Sequence, residues 1–158
     1  MASDQRVVVV GMGSEYRRDD GVGLAVADRV AQAVDGVSAV GPLSDPLDLL
    51  GLWDGADLAV VVDAVQSGAA PGTVQLIELD ITSGRGAAGD PSGTTSTHGI
   101  GVAGVFRLAR AVGSAPKRVV VVGIEGQDFS QGTGLSPAVD RAVEHAARHV
   151  AELIGEGR

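Results

Sequence analysis

Short runs of β-branched residues that are apolar at almost every position recur along the chain. Such continuous apolar runs are typical of strands that are covered on both faces in a largely parallel sheet. One of them, VQLIEL, partly alternates between apolar and polar residues, so we expect it to lie nearer an edge of the sheet. The runs occupy residues 7–10, 58–62, 74–79 and 119–122, with a weaker candidate strand at 37–40.

Segments with helical periodicity separate these runs. Residues 20–35 place four valines in steps of four along one side of a helix, and the segments 46–53 and 98–112 are further helix candidates. The last helix is predicted to begin at Pro137, with Ser136 as its N-cap residue. Strands that alternate with helices predict an α/β fold, a three-layer α/β/α sandwich around a sheet of about five strands.

Two glycine-rich polar segments, 81–97 and 125–134, interrupt this alternation and are predicted to be loops. Neither has the composition of a linker between domains, and the sequence shows no internal repeat. A length of 158 residues is enough for one domain with a proper core. Residues 1–158 are therefore predicted to form a single domain.

Charge and composition exclude several classes of protein. The net charge of −8 leaves no basic footprint for neutralising phosphates, which argues against a nucleic-acid partner. The absence of cysteine excludes thiolate catalysis, disulfides and sulfur-ligated metals. No apolar stretch reaches the ~18 residues that a membrane span needs, and the N-terminal apolar run is too short for a signal peptide. We therefore expect a cytoplasmic protein without a membrane partner.

Polar residues with useful chemistry follow the predicted strands, where ligands bind in open parallel sheets. Asp19 and Asp20 follow the first strand, Asp63 ends the run LAVVVDAV, and His98 stands at the head of a predicted helix on the same edge. Two carboxylates and one imidazole are thus predicted to converge from three segments. Oxygen and nitrogen ligands without sulfur suit a borderline divalent ion.

Each of these residues also has a structural interpretation. Asp19 or Asp20 is a suitable N-cap for the first helix, although one cap does not explain both carboxylates. A carboxylate at the end of so apolar a strand is costly without a partner, which favours a functional role for Asp63. The dipole of the helix that His98 precedes disfavours protonation of the imidazole, which keeps it able to bind a metal.

The other two histidines are weaker candidates. His145 and His149 are four residues apart on the last predicted helix, a spacing that permits metal binding. At ~100° per residue, however, they lie away from the apolar stripe of that helix. We expect them on a solvated face.

The first turn resembles a dinucleotide-binding turn but departs from it in chemistry. A buried strand leads into Gly11-Met12-Gly13, yet Tyr16 occupies the place of the third glycine. Asp19 and Asp20 would repel a phosphate at the helix N-terminus. The turn suits a cation, which disfavours a dinucleotide oxidoreductase.

Four ordered sequence blocks resemble the hydrogenase maturation proteases, the endopeptidases that trim the C-terminal tail of a nickel–iron hydrogenase large subunit. The blocks are GMGSEYRRDDGVG, VVVDAV with GAAPGTV, STHGIGV, and VVGIEGQDFSQGTGLSPAV. Ser14 departs from the asparagine that many relatives carry. The resemblance implies a twisted, mostly parallel sheet with one antiparallel strand.

The same resemblance implies a site and a partner. Asp20, Asp63 and His98 match the family's metal-binding residues, to which we assign the catalytic role as well. The metal would be nickel already mounted in the substrate, with no organic cofactor. The partner would be the C-terminal tail of the hydrogenase large-subunit precursor, and the protein itself a monomer.

Other functions stay open on the sequence. A nickel-dependent docking protein or chaperone for hydrogenase assembly would need the same ligands without cutting. A peptidyl-tRNA hydrolase has a related fold, but its RNA substrate demands a basic surface. The reaction chemistry is also open: neither a Ser-His-Asp arrangement nor His-Glu-x-x-His is present, so a carboxylate acting as base on a water is one route. The loop at 81–97 would be placed to fold over the substrate tail.

Overall fold

The computed structural model describes residues 5–79 and 99–156. All five predicted strands and all four predicted helices are found in these ranges. Short 3-10 helices at Arg18–Gly21 and Pro46–Asp48 precede the first two α-helices. The elements are β1 Val7–Met12, α1 Val22–Ala33, β2 Val37–Leu43, α2 Leu49–Leu52, β3 Leu58–Val65, β4 Val74–Glu78, α3 Gly99–Val112, β5 Arg118–Glu125 and α4 Pro137–Glu156.

The described strands form one sheet in the order β2-β1-β3-β5-β4. β1 runs parallel to β2 and β3, and β3 runs parallel to β5. β4 is antiparallel to β5 and lies at an edge. The predictions of a mostly parallel sheet and of an edge position for residues 74–79 are thus confirmed.

Alternating side chains of the central strands build two separate cores, one on each face of the sheet. Val7 and Val9 pack on the face covered by α1 and α4. Val8 and Val10 pack on the opposite face, which is covered by α2 and α3. There Trp53 meets Phe106 edge to face, with ring centroids 6.2 Å apart. This confirms the three-layer α/β/α sandwich.

Two glycines let α1 begin directly against the end of the sheet. A Cβ atom on Gly23 would overlap the carbonyl oxygen of Val62 in β3, and one on Gly11 would overlap the backbone at Leu24. Only glycine permits so close an approach of helix and strand backbones. The turn that precedes α1 is therefore held beside the carboxyl end of β3.

Two features of the first helix differ from the prediction. It begins at Val22 because the chain first makes the 3-10 helix Arg18–Gly21. The N-cap residue of α1 is Gly21, and no side chain caps the helix, so the interpretation of Asp19 or Asp20 as its N-cap is wrong. Both aspartates lie inside the 3-10 helix, where their side chains are available for other partners.

The predicted loop at 125–134 is found in the structure, except that Glu125 is the last residue of β5. The predicted loop at 81–97 and His98 lie outside the described residues, and a single domain over residues 1–158 stays a prediction. None of the helices in the described ranges has the length and hydropathy to cross a membrane.

Candidate functional site at the carboxyl end of the sheet

Four buried carboxylates lie at the carboxyl ends of the three central strands. Strand pairing explains why they gather there: Gly11 of β1 lies opposite Val62 of β3, and Asp63 of β3 lies opposite Gly123 of β5. Parallel strands end at the same edge, so residues just beyond each strand become neighbours. Within the described residues the buried charged side chains are those of Asp19, Asp20, Asp63 and Glu125, each at most 4% exposed.

The side chain of Asp19 is saturated with hydrogen bonds. It accepts bonds from the backbone N–H groups of Gln127 and Asp128, both at 2.8 Å. It also accepts bonds from the N–H and the hydroxyl of Ser136, both at 2.7 Å. Burial raises the pKa of Asp19, but the bonds from Ser136, Asp128 and Gln127 together outweigh it and hold that pKa below its ordinary value. Asp19 is therefore an ionised anchor for the chain between β5 and α4.

Ser136 precedes α4 as predicted, but its hydroxyl serves Asp19. The helix starts at Pro137, and the carbonyl of Ser136 accepts the bond from the N–H of Asp140. The hydroxyl oxygen meanwhile donates to the carboxylate of Asp19. One residue thus begins the last helix and ties it to the first turn.

Glu125 is a second anchoring carboxylate, which sequence reasoning missed. It accepts bonds from the N–H of Ser67, at 3.0 Å to the nearer oxygen, and from the Ser67 hydroxyl at 2.6 Å. These bonds fasten the segment after β3 to the end of β5. The sequence pattern that identified Asp63, a carboxylate at the end of a continuous apolar strand, could also have identified Glu125.

Asp20 has fewer protein partners than its neighbour. Its carboxylate accepts one hydrogen bond from the described residues, from the N–H of Ser14 at 2.9 Å. Arg17 approaches it at 3.8 Å, but the arginine side chain is 49% exposed. Gly13, at φ 106°, passes against the backbone oxygen of Asp20, where a Cβ atom would overlap it. The Gly-x-Gly turn therefore covers Asp20 and leaves its carboxylate with acceptor capacity for a cation.

Asp63 is the sixth of eight consecutive buried residues in β3. It shares its face of the strand with Ala59 and Val61, which pack in the core beneath α2 and α3. α3 begins at Gly99, the residue directly after His98. α3 is one of the helices that cover the face of the sheet on which Asp63 lies.

The donor chemistry at this edge suits a divalent cation. Two buried carboxylates, Asp20 and Asp63, come from adjacent elements, and hard oxygen donors of this kind bind divalent ions. In the part of the chain that the structure describes, no group of three or more metal-binding side chains surrounds one point. The third predicted ligand, His98, lies outside that part.

The two histidines of α4 lie apart from this edge. His145 is exposed and His149 is half-buried, and their Nε2 atoms are 3.3 Å apart. His145 lies eight residues into a helix that starts beside Asp19, roughly 12 Å along its axis at 1.5 Å per residue. The expectation of a solvated face agrees with this exposure.

The protein is an α/β sandwich with buried carboxylates at the carboxyl edge of its sheet and no cysteine in its sequence. These features suit chemistry that involves a bound cation, and they exclude a cysteine thiolate as nucleophile. The chain belongs to the hydrogenase maturation protease family, whose family model matches residues 44–153. It is therefore a peptide-bond hydrolase of hydrogenase maturation. The matched residues include Asp63 and begin after Asp20.

Similar proteins extend the match to the N-terminal turn. The Hydrogenase 2 maturation protease of Escherichia coli K12 is 25% identical over 155 residues, which cover 96% of this chain and 92% of that protein. The hydrogenase expression/formation protein HupD of Rhodobacter capsulatus is 30% identical, over 98% of this chain and 72% of the relative.

Solved structures share the fold. The hydrogenase maturating endopeptidase HybD of E. coli superposes with a TM-score of 0.78 at 24% identity, covering 96% of this chain and 93% of HybD. The [NiFe] hydrogenase maturation protease HybD of Thermococcus kodakarensis gives a TM-score of 0.77, also at 24% identity, covering 94% of this chain and 99% of that one.

Proposed function

We propose that this protein removes the C-terminal extension of a nickel–iron hydrogenase large-subunit precursor, and that it does so after nickel has been inserted. The observation that carries the proposal is the pair Asp20 and Asp63, buried at one sheet edge and contributed by adjacent elements. Family membership supplies the reaction class. The carboxylate pair supplies a reason for the reaction to depend on a metal.

Recognition of the metal follows from the electrostatics of the pair. Two buried carboxylates repel each other, and a nearby positive charge offsets that repulsion. Arg17 supplies one weakly, since its guanidinium stands 3.8 Å from Asp20 and is half exposed. A nickel ion in the precursor would offset the repulsion between the two carboxylates more strongly, with His98 as the third ligand. A precursor without nickel would not gain this interaction, so cutting becomes conditional on metal insertion.

Hydrolysis then needs a water, a base and a proton for the leaving amine. The water oxygen forms a bond to the scissile carbonyl carbon, and its proton passes to a carboxylate of the pair. The C–N bond breaks as that proton is returned to the departing amine. The nickel of the substrate contributes charge stabilisation as a Lewis acid. A covalent thioester route is excluded because the chain has no cysteine.

Mass spectrometry of the precursor tests the proposal directly. The host's large-subunit precursor, with and without nickel, is incubated with the protein, with its Asp63→Asn variant or with Asp28→Asn. Asp28 is an exposed carboxylate on α1, so its substitution is the matched control. We expect a nickel-dependent loss of one C-terminal peptide with the wild-type protein and with Asp28→Asn. We expect at least a ~100-fold slower loss with Asp63→Asn.

Two other outcomes would overturn the proposal. If the wild-type protein binds the nickel-loaded precursor but leaves its mass unchanged, the protein is a docking factor and not the processing enzyme. If it cuts the nickel-free precursor equally well, cleavage does not depend on recognition of nickel by the carboxylate pair. Size-exclusion chromatography of the same preparation tests the expected monomer.

A further inference from the structure

Two loops at the carboxyl edge are joined along their backbones. We call residues 14–21 the acidic turn and residues 126–136 the β5–α4 loop. The N–H of Arg18 donates to the carbonyl of Gly132 at 3.1 Å, and the N–H of Gly132 donates to the carbonyl of Tyr16 at 2.9 Å. The N–H of Asp19 donates to the carbonyl of Asp128 at 2.9 Å. More than one hundred residues of chain separate the partners, so these bonds fix tertiary structure.

The side chain of Asp19 completes this junction from inside. Within the described residues its carboxylate accepts four hydrogen bonds, all from the β5–α4 loop at 2.7–2.8 Å, and the residue is fully buried. An amide in place of the carboxylate offers one acceptor oxygen and turns an NH2 group toward N–H donors. No other side chain of this shape satisfies four donors, so the junction depends on a carboxylate.

Arg18 shows that the junction holds the backbone in an unfavourable conformation. It has φ 48°, in the left-handed region, which is uncommon for residues other than glycine, asparagine and aspartate. Its guanidinium donates to the carbonyl of Thr133 at 3.1 Å. A Cβ atom on Gly132 would be 2.7 Å from Nη2 of Arg18, so Gly132 provides the space for that side chain. Such conformations persist where surrounding contacts impose them, commonly at functional sites.

We propose that Asp19 is a positioning residue, an inference that rests on the proposed function. Its side chain clamps the acidic turn to the β5–α4 loop and thereby holds the carboxylate of Asp20 in the position that the reaction needs. Asp20 is the next residue in the same 3-10 helix, so movement of this turn moves its carboxylate. From the described residues, the carboxylate of Asp20 accepts a single hydrogen bond, and the half-exposed guanidinium of Arg17 lies 3.8 Å away, so few side-chain contacts resist that movement. A displacement of about 1 Å in a catalytic group lowers rates by roughly 100-fold.

The test compares cleavage by Asp19→Asn, Ser136→Ala and Ser136→Thr with that by Val150→Ala. Val150→Ala is the stability control, because Val150 is buried in α4 away from the loop. Turnover of nickel-loaded precursor is measured per folded molecule, well below each melting temperature. Hydrogen–deuterium exchange of residues 126–136 is measured without precursor, so that the clamp is monitored independently of cleavage.

We expect Asp19→Asn to lower kcat by about 10–100-fold and to speed exchange in the β5–α4 loop. Ser136→Ala should also lower kcat and speed exchange, but to a smaller extent. Ser136→Thr keeps the hydroxyl, so its kcat and its exchange rate should equal those of the wild-type protein. Val150→Ala should lower stability without lowering kcat.

Wild-type kcat in folded Asp19→Asn would overturn the inference and leave the proposed function intact. A loss of kcat without faster exchange would also overturn it, because Asp19 would then act directly. Absence of cleavage by the wild-type protein would overturn both.

Discussion

Asp19 and Asp20 are neighbours of identical chemistry that lie in different hydrogen-bonding surroundings. Asp19 receives four hydrogen bonds, and its pKa lies below its ordinary value because these bonds outweigh burial. The carboxylate of Asp20 accepts one hydrogen bond from the described residues, although Asp20 is almost as deeply buried. A buried, partly satisfied carboxylate is typical of a functional site, where stability is given up for chemistry.

This contrast predicts different effects of the same substitution at the two positions. Asp19→Asn removes charge-assisted hydrogen bonds, and we expect it to lower the free energy of unfolding by about 3 kcal/mol. Asp20→Asn retains an oxygen for the N–H of Ser14 and removes a buried charge, so we expect a change within about 1 kcal/mol. Urea denaturation of both variants measures the difference. Equal losses of stability would show that Asp20 is as structural as Asp19.

Among the elements, the contact between α1 and the sheet depends on the absence of a side chain. Gly23 in α1 lies against the carbonyl of Val62, with no space for a Cβ atom. We expect Gly23→Ala to destabilise the protein by about 3 kcal/mol, the upper part of the range for overpacking. The measurement is the midpoint of chemical denaturation.

Gly104 provides the matched control for this substitution. It lies in the middle of α3, and a Cβ atom added there would meet no atom of another described element within 4 Å. Gly104→Ala should therefore stabilise α3 by about 0.5–1 kcal/mol, since alanine has the higher helix propensity. If Gly23→Ala proved equally stabilising, the close approach of α1 and β3 would be disproved.

The edge strand β4 is fastened by an ion pair whose pH dependence has a definite sign. Both carboxylate oxygens of Glu78 accept bonds from Arg118 of β5, at 2.8 and 2.9 Å. These bonds hold the pKa of Glu78 below its ordinary value. A lowered folded-state pKa contributes stability above the unfolded pKa, and that contribution is lost as the pH falls through the folded pKa.

We therefore expect Glu78→Gln to reduce the free energy of unfolding at pH 7 by about 0.5 kcal/mol, since the pair is half exposed. The difference from wild type should vanish as the pH falls well below about 4.3. Denaturation curves at several pH values measure it. A difference that persists at low pH would show that packing, not the ion pair, is responsible.

For the whole molecule, parallel topology explains why the acidic groups meet. β1, β3 and β5 run in one direction, so the residues that end them share one edge, while helices cover both faces of the sheet. The first turn has the glycines of a phosphate-binding turn, but they serve close helix packing and cover Asp20.

Hydrophobic patterning was sufficient to predict the strands and helices, their order along the chain and the apolar faces that they bury. Strands with continuous apolar runs, helices with apolar stripes and the edge position of β4 all follow from this periodicity, which is local along the chain. Asp63 was identifiable for the same reason, because a carboxylate that ends an apolar strand stands out against its immediate neighbours.

The distinction between the anchoring carboxylates of Asp19 and Glu125 and the carboxylate of Asp20 came from the three-dimensional arrangement. The partners of Asp19 lie 108 to 117 residues away, and Ser67 lies 58 residues from Glu125. Hydrogen bonds between such distant segments leave no local periodicity, so sequence patterns could not separate Asp19 from Asp20 and placed Glu125 in a loop. The fold separates them because it brings donors to Asp19 and Glu125, while Asp20 receives a single backbone donor from the described residues.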